Sequence, residues 1–330
     1  MTQTRASLFF LLHHLTIELS SPDEAILEQW AYLLAGWLAA DGAAANPPDI
    51  RLELSLRDHL PPRPSTPPLF TDQDAQSNVP AILTVYPQAQ ERVSLHFHGA
   101  GLVSVPLTAV SPGEPLTAVG VVTPESFGNG RFEDVTFTSL APLLRRHGFF
   151  LLHAFAAARE GRAALLVGAS GSGKTTTGLS LLLSDWELLS NDVVLLQMRP
   201  DGVYALAMPD MLSIRPFTLD LLPALASRLN LTPAGQPVAL SAFALTNGRW
   251  ALPAPVTAVY FPQITDQPAR LSPLNRAVCL AHLLEQSVDQ WDTAVFADHM
   301  TLLHTLSQQA AAYTLHLGPD VERLSHLISA

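Results

Sequence analysis

The chain has 330 residues, 48% of them hydrophobic and 14% charged, which is too apolar for a disordered chain and enough for the cores of about two domains. Its formal charge of −11 leaves no basic stripe for releasing counterions from a phosphate backbone, so nucleic acid is not an expected partner. One cysteine, Cys279, excludes a disulfide framework and a cysteine-rich metal site, and suits a reducing cytosol.

At the start, the apolar run from Leu8 to Leu12 is broken by His13-His14 and lacks a small-residue cleavage site. One strand over 8–19 is expected, not a signal peptide. No other segment approaches the ~20 uninterrupted apolar residues of a membrane span, so the expectation is a cytoplasmic protein with no membrane partner. Ser20-Ser21-Pro22-Asp23 opens a helix over 24–40, with Ile26, Trp30, Leu33, Leu34, Trp37 and Leu38 at helical spacing. Residues 49–56 alternate as a half-buried strand, and prolines 61, 62, 64, 67 and 68 then forbid regular structure. Runs at 81–86, 93–97 and 118–122 read as short strands, giving a β-rich α+β N-terminal domain over 1–147. His96 and His98 lie two apart on one strand. With no acidic or cysteine partners nearby, a solvent-facing strand edge is preferred to a metal pair.

A helix over 137–146 closes at His147-Gly148. Residues 149–158 then feed, through the turn Arg159-Glu160-Gly161-Arg162, into the apolar strand 163–167, as a hairpin does. That strand runs into Gly168-Ala169-Ser170-Gly171-Ser172-Gly173-Lys174-Thr175, the complete eight-position pattern of a phosphate-binding P-loop. Phosphate oxygens need several convergent N–H donors, and the glycines free the backbone to supply them. The helix start adds its positive end, Lys174 an ammonium for the terminal phosphates, and Thr175 a hydroxyl for Mg²⁺. Lys174 is the only lysine, against seventeen arginines (eighteen basic residues less this one). A planar guanidinium cannot replace a slim ammonium between phosphates, so a chain that otherwise uses arginine still needs lysine here.

Beyond the loop, a helix over 176–183 and a strand over 186–190 lead to Asn191-Asp192, followed by a strand over 193–196. A carboxylate buried at Asp192 between two apolar strands would be costly unless a cation or a reacting hydroxyl met it. A strand-like run over 210–216 carries Arg215, and residues 217–231 read as helix. Proline-rich segments follow with a turn at Gly248, then a strand over 256–261, helices over 275–286 and 296–311, a strand over 312–317 and a terminal helix. This alternation argues an α/β second domain over 148–330.

Leu152-His153, the glycine-rich octapeptide and Leu189-Ser190-Asn191-Asp192-Val193-Val194-Leu195-Leu196 resemble, in order and spacing, the catalytic core of the HPr serine kinase/phosphorylase family. The resemblance covers roughly residues 150–217, weakens toward the C-terminus, and is absent over 1–147. It is closer to smaller, divergent HPr-kinase-related proteins, some of which phosphorylate free serine or a peptide's serine. It implies an HPr-kinase-like P-loop core and an ATP-dependent, Mg²⁺-assisted kinase. Residues 168–176, from Gly168 through Thr176, would hold the nucleotide. Thr175, Asn191 and Asp192 would lie around Mg²⁺, Asp192 would be the general base, His153 a further active-site group, and Arg215 a stabiliser of transition-state charge. The acceptor would be a hydroxyl of a peptide, protein or small molecule, and a homo-oligomer is left open.

The departures also carry expectations. Asn191 stands where the family has a second acid, removing a negative charge from the metal site, and Thr176 replaces a glutamate. Pro216-Phe217 replaces the glycine pattern after the arginine, so neither phosphorylase activity nor HPr as substrate is expected. Three other nucleotide-dependent classes share parts of this pattern. A transporter-type or motor ATPase lacks its Leu-Ser-Gly-Gly signature here, and phosphoenolpyruvate carboxykinase has a larger body. A nucleotide-binding regulatory module without phosphotransfer draws support from Asn191.

Overall fold

A computed structural model describes residues 6–39, 47–72, 82–128, 130–231, 236–246 and 248–328. The chain forms two compact units, residues 1–147 with 291–294, and residues 148–290 with 295–330. Both are mixtures of helix and strand.

In the first unit, β1 (Ala6–Leu12), β2 (Leu15–Ser21), β3 (Ile50–Leu56), β4 (Phe70–Thr71), β5 (Leu83–Gln88), β6 (Arg92–Phe97), β7 (Gly101–Pro106) and β8 (Leu116–Val122) make one sheet in the order β1-β2-β3-β8-β7-β6-β5-β4. Helices α1 (Glu24–Leu33) and α2 (Arg131–Arg146) belong to the same unit. α1 buries Ile26, Trp30 and Leu33, and the Trp30 indole donates to Thr136 on α2 at 3.1 Å. Three expectations are corrected. The single strand over 8–19 is a hairpin, because His13 takes a left-handed φ of 61° and lets Leu15 pair back with Leu12. The helix from Glu24 ends at Leu33, not near Ala40, which lies outside the described residues, as does Ala81 of the next expected run. His96 is not at a solvent-facing edge: β6 is paired on both sides, by β5 and β7, and His96 is buried.

In the second unit, β9 (Phe149–Arg159) and β10 (Arg162–Val167) form the expected hairpin. Its turn residues Glu160 and Gly161 both have positive φ, the geometry that a two-residue connection between twisted strands requires. β11 (Glu187–Ser190) and β12 (Val193–Arg199) run one after the other along the opposite side of β9. β13 (Gly202–Leu206), β14 (Met211–Ile214), β15 (Val238–Ser241), β16 (Ala254–Ile264), β17 (Arg270–Pro273) and β18 (Ala311–Leu317) complete the strands. β10 pairs antiparallel with β9 and parallel with β16, so its apolar residues 163–167 are all buried. The pairings β10 to β9, β9 to β12, β12 to β13, β13 to β16 and β16 to β10 return to their start, closing a five-stranded circuit around β9 and β10.

Helix α3 (Lys174–Leu182) begins two residues earlier than the sequence suggested. It packs Leu179 and Leu182 into a core with Phe155, Leu166 and Trp186. Contact with β9 depends on Gly178, since a Cβ there would sit 2.3 Å from the Phe155 ring. The helix expected over 217–231 is two short ones, α4 (Pro216–Leu221) and α5 (Pro223–Leu229), because Pro223 restarts the backbone. α6 (Ala242–Thr246), α7 (Arg276–Glu285), α8 (Phe296–Gln309) and the single turn α9 (Leu324–Leu327) are the remaining helices among the described residues. None is long and apolar enough to cross a membrane.

Candidate functional site

The site lies where both neighbours of β9 leave the sheet at the same level. On one side, Val167 pairs with Ala154 and the chain departs as the glycine-rich loop. On the other, β11 stops at Ser190 and β12 resumes at Val193, which pairs with His153. The intervening Asn191-Asp192 stays tied to β9 by one bond, from the Ala154 N–H to the Asp192 carbonyl, at 2.9 Å. His153 therefore stands between a loop and a strand break.

Gly171 and Gly173 have φ of 82° and 102°, the left-handed conformation that turns the loop into α3. At Gly173 space is also limiting, since a Cβ would meet Leu317 at 2.4 Å. Gly168 differs from its expected role. Its φ is not left-handed, and the constraint there is room, a Cβ coming within 3.0 Å of the Ser172 hydroxyl. Ala169, Ser170 and Gly171 are exposed, Ser172 is partly buried, and Thr175 is half-buried in the first turn of α3. Thr176 is tied to the neighbouring helix, its hydroxyl 2.9 Å from that of Thr218 on α4.

Lys174 is only 5% exposed. Its ammonium donates to the Gly168 carbonyl at 2.6 Å and the Ala169 carbonyl at 3.2 Å, and lies 2.9 Å from His153 Nε2. An ammonium can only donate, so Nε2 is the acceptor, and a neutral ring then carries its proton on Nδ1. That nitrogen faces Asp192 Oδ1 at 3.5 Å. Burial holds the Lys174 pKa below the ordinary lysine value, with Asp192 opposing. Burial likewise depresses His153, Asp192 pulling it up and the Lys174 charge pushing it further down, which keeps the imidazole neutral. Lysine, histidine and aspartate thus form one continuous polar line.

The carboxylate expected to be buried at Asp192 is not. The Asp192 side chain is 56% exposed while Asn191 is buried, the chain bending at these two residues between β11 and β12. The buried carboxylate here is Asp210, to which no sequence motif pointed. Its Oδ2 accepts the Asn191 backbone N–H at 2.5 Å and lies 3.1 Å from the Ser190 hydroxyl. Burial pushes its pKa up to about 7. The Asn191 N–H and the Ser190 hydroxyl oppose that shift, the Asp192 charge adds to it, and the Asp192 N–H opposes it. Among the described residues no cation lies within ion-pair distance of Asp210. Arg215 is exposed at the N-cap of α4, three residues before Thr218, so its backbone is anchored to α3 through the Thr176–Thr218 contact.

Does this donor set suit Mg²⁺? No three His, Cys, Asp or Glu side chains gather as a metal group among the described residues. Mg²⁺ needs fewer, since one or two carboxylates with substrate phosphates suffice. Asn191 Oδ1 is a buried oxygen without a hydrogen-bond partner, costing about 1–3 kcal/mol, a cost that a cation could offset. With the exposed Asp192 carboxylate and the Thr175 hydroxyl, the residues present fit a hard, oxygen-seeking cation. The His96–His98 pair does not. The His98 ring is 2.9 Å from an Arg63 guanidinium nitrogen, and burial, with the Arg63 charge, pushes the His96 pKa down to about 4.

Compared with known proteins, the chain matches no family model and no curated protein.

Proposed function

We propose that the second unit is an ATP-dependent kinase with an HPr-kinase-like P-loop core, transferring the γ-phosphate to a hydroxyl of a peptide, protein or small molecule. The observation that carries this reading is the line Lys174–His153–Asp192, which joins a phosphate-seeking ammonium to an exposed carboxylate through one neutral ring. In this reading the loop amides and Lys174 bind the nucleotide phosphates, the ammonium exchanging the Gly168 and Ala169 carbonyls for phosphate oxygens. Asp192, Asn191 and Thr175 would hold Mg²⁺, which when bound would neutralise phosphate charge. Asp192 takes the proton of the acceptor hydroxyl as its oxygen bonds to the γ-phosphorus. The bond from that phosphorus to the bridging oxygen breaks, and ADP leaves with the electron pair. His153 keeps the ammonium and the carboxylate apart. Arg215 would stabilise charge on the transferred group.

The test is incubation with γ-labelled ATP and Mg²⁺, alone and with free serine or serine-containing peptides. Label on an acceptor is the expected result. Release of free phosphate irrespective of acceptor would identify an ATPase, and tight nucleotide binding with neither product would identify a regulatory module. Asn191 in place of an acid is the feature that favours the module. In each case Lys174→Ala should weaken nucleotide binding by about two to three orders of magnitude.

A further inference from the structure

Asp210 has no part in the motif and none in the steps above. It sits just before β14, and the segment around it is stitched to the strand break: the Met208 N–H donates to the Leu189 carbonyl at 3.2 Å, and the Asn191 amide nitrogen lies 3.4 Å from the Met211 carbonyl. Between these two contacts the Asp210 carboxylate reaches across, one oxygen accepting the Asn191 N–H and lying 3.1 Å from the Ser190 hydroxyl oxygen. Ser190 is held from the far side as well, by a 2.6 Å bond to the Val193 carbonyl, the first residue after the break. The break therefore has no β9 partner for its Asn191 N–H, and a side chain from another segment supplies one. A backbone N–H left without a partner here would cost about 1–3 kcal/mol and would release the bend that the two residues make.

That bend is what turns Asp192 outward to His153. At 7% exposure, Asp210 is itself too enclosed to meet an acceptor. We infer that Asp210 is a positioning residue, whose carboxylate fixes the Ser190–Asp192 break so that Asp192 is presented to His153 and to the acceptor hydroxyl. The inference deepens the phosphotransfer reading and rests on it for its kinetic consequence, but its geometric content can be measured without turnover.

The experiment compares Asp210→Ala, Asp210→Asn and Asp192→Asn in the full chain, with folding checked by circular dichroism and amide spectra. Asp210→Ala is expected to lower kcat by about 100-fold, the scale of a misplaced reacting group, while nucleotide Kd stays within about threefold. Asp210→Asn keeps an oxygen that can accept the Asn191 N–H and should restore kcat to within about threefold of wild type. The double variant Asp192→Asn/Asp210→Ala should be no slower than Asp192→Asn alone, because the second residue acts through the first. Additive losses, an unchanged kcat in folded Asp210→Ala, or an Asp210→Asn as slow as Asp192→Asn would each overturn the inference. If Asp210→Ala does not fold, the Asp210→Asn comparison decides alone. If the wild-type protein transfers no phosphate, the kinase reading fails and NMR still decides the geometry. The Asn191 and Asp192 amide signals and the His153 ring signals should move in Asp210→Ala and hold in Asp210→Asn, and signals that stay in place in both, or move equally in both, would sink the inference.

Discussion

The two units handle buried charge in opposite ways. In the first, Asp292 has a fully buried side chain and meets two guanidiniums, Arg146 at 2.5 Å and Arg145 at 3.6 Å, so the buried carboxylate has direct cationic partners. In the second, Lys174 and Asp192 stand on either side of a neutral histidine, and Asp210 is buried without a cation in reach among the described residues. A folded chain tolerates such an arrangement only where something else repays it, and in the second unit the cost collects at a single spot. Strand pairing alone does not explain the difference, since each unit builds a broad sheet. What distinguishes the second is that two strands leave β9 at the same level and bring their loose ends together.

The largest expected effects come from removing one charge in each unit. Asp292→Ala leaves two buried guanidiniums without their carboxylate and should destabilise the first unit by about 3–5 kcal/mol in a denaturant titration, with nucleotide affinity of the folded protein unchanged. Lys174→Ala should do the reverse, costing little stability and about two to three orders of magnitude in nucleotide affinity or transfer. If Lys174→Ala unfolds the protein as Asp292→Ala does, the contrast between a closed and an open charge cluster is wrong.

A smaller effect tests the scaffold beneath the open site. Gly178→Ala places a Cβ against the Phe155 ring and should cost about 1–3 kcal/mol by overpacking, seen as a lowered Tm. An unchanged Tm would mean that α3 does not seat on β9 as described.

The smallest effect is in the pH dependence, where the units should slope in opposite directions. His96 is depressed to about 4 by burial, so its contribution is present above pH 6.5 and is lost as pH falls toward about 4. Asp210 is raised to about 7 by burial, so its contribution is present below the ordinary carboxylate value of 3.8 and is lost as pH rises through about 7. Between these limits urea midpoints of His96→Gln should flatten the acid limb, and those of Asp210→Asn the neutral limb. Parallel shifts in both variants would contradict the opposite signs.

Much of the frame was legible in the sequence, because local rules decide it. The Glu160-Gly161 turn, the apolar β10 strand and the glycine loop entering α3 each follow from residues adjacent in the chain. The His13-His14 turn was hidden, having neither glycine nor asparagine to mark its left-handed residue. β7 was missed between its bounding Gly101 and Pro106, and with it the fact that His96 lies inside the sheet. In the site, Lys174 is readable from the glycine-rich motif, and the roles of His153 and Asp192 only from the family resemblance, but which of Asn191 and Asp192 faces inward is set by the bend between β11 and β12, which no local signal marks. Asp210 was out of reach for a plainer reason. It meets the strand break across a long excursion through β12 and β13, and nothing in its neighbours marks an acid that contacts backbone rather than ligand.

The most direct test of the central claim is a single-turnover experiment with γ-labelled ATP and Mg²⁺, comparing wild type with Asp192→Asn once an acceptor hydroxyl is known. The account predicts equal nucleotide affinity, label on the acceptor for wild type, and label retained in ATP for the variant. Transfer by Asp192→Asn at the wild-type rate would contradict it.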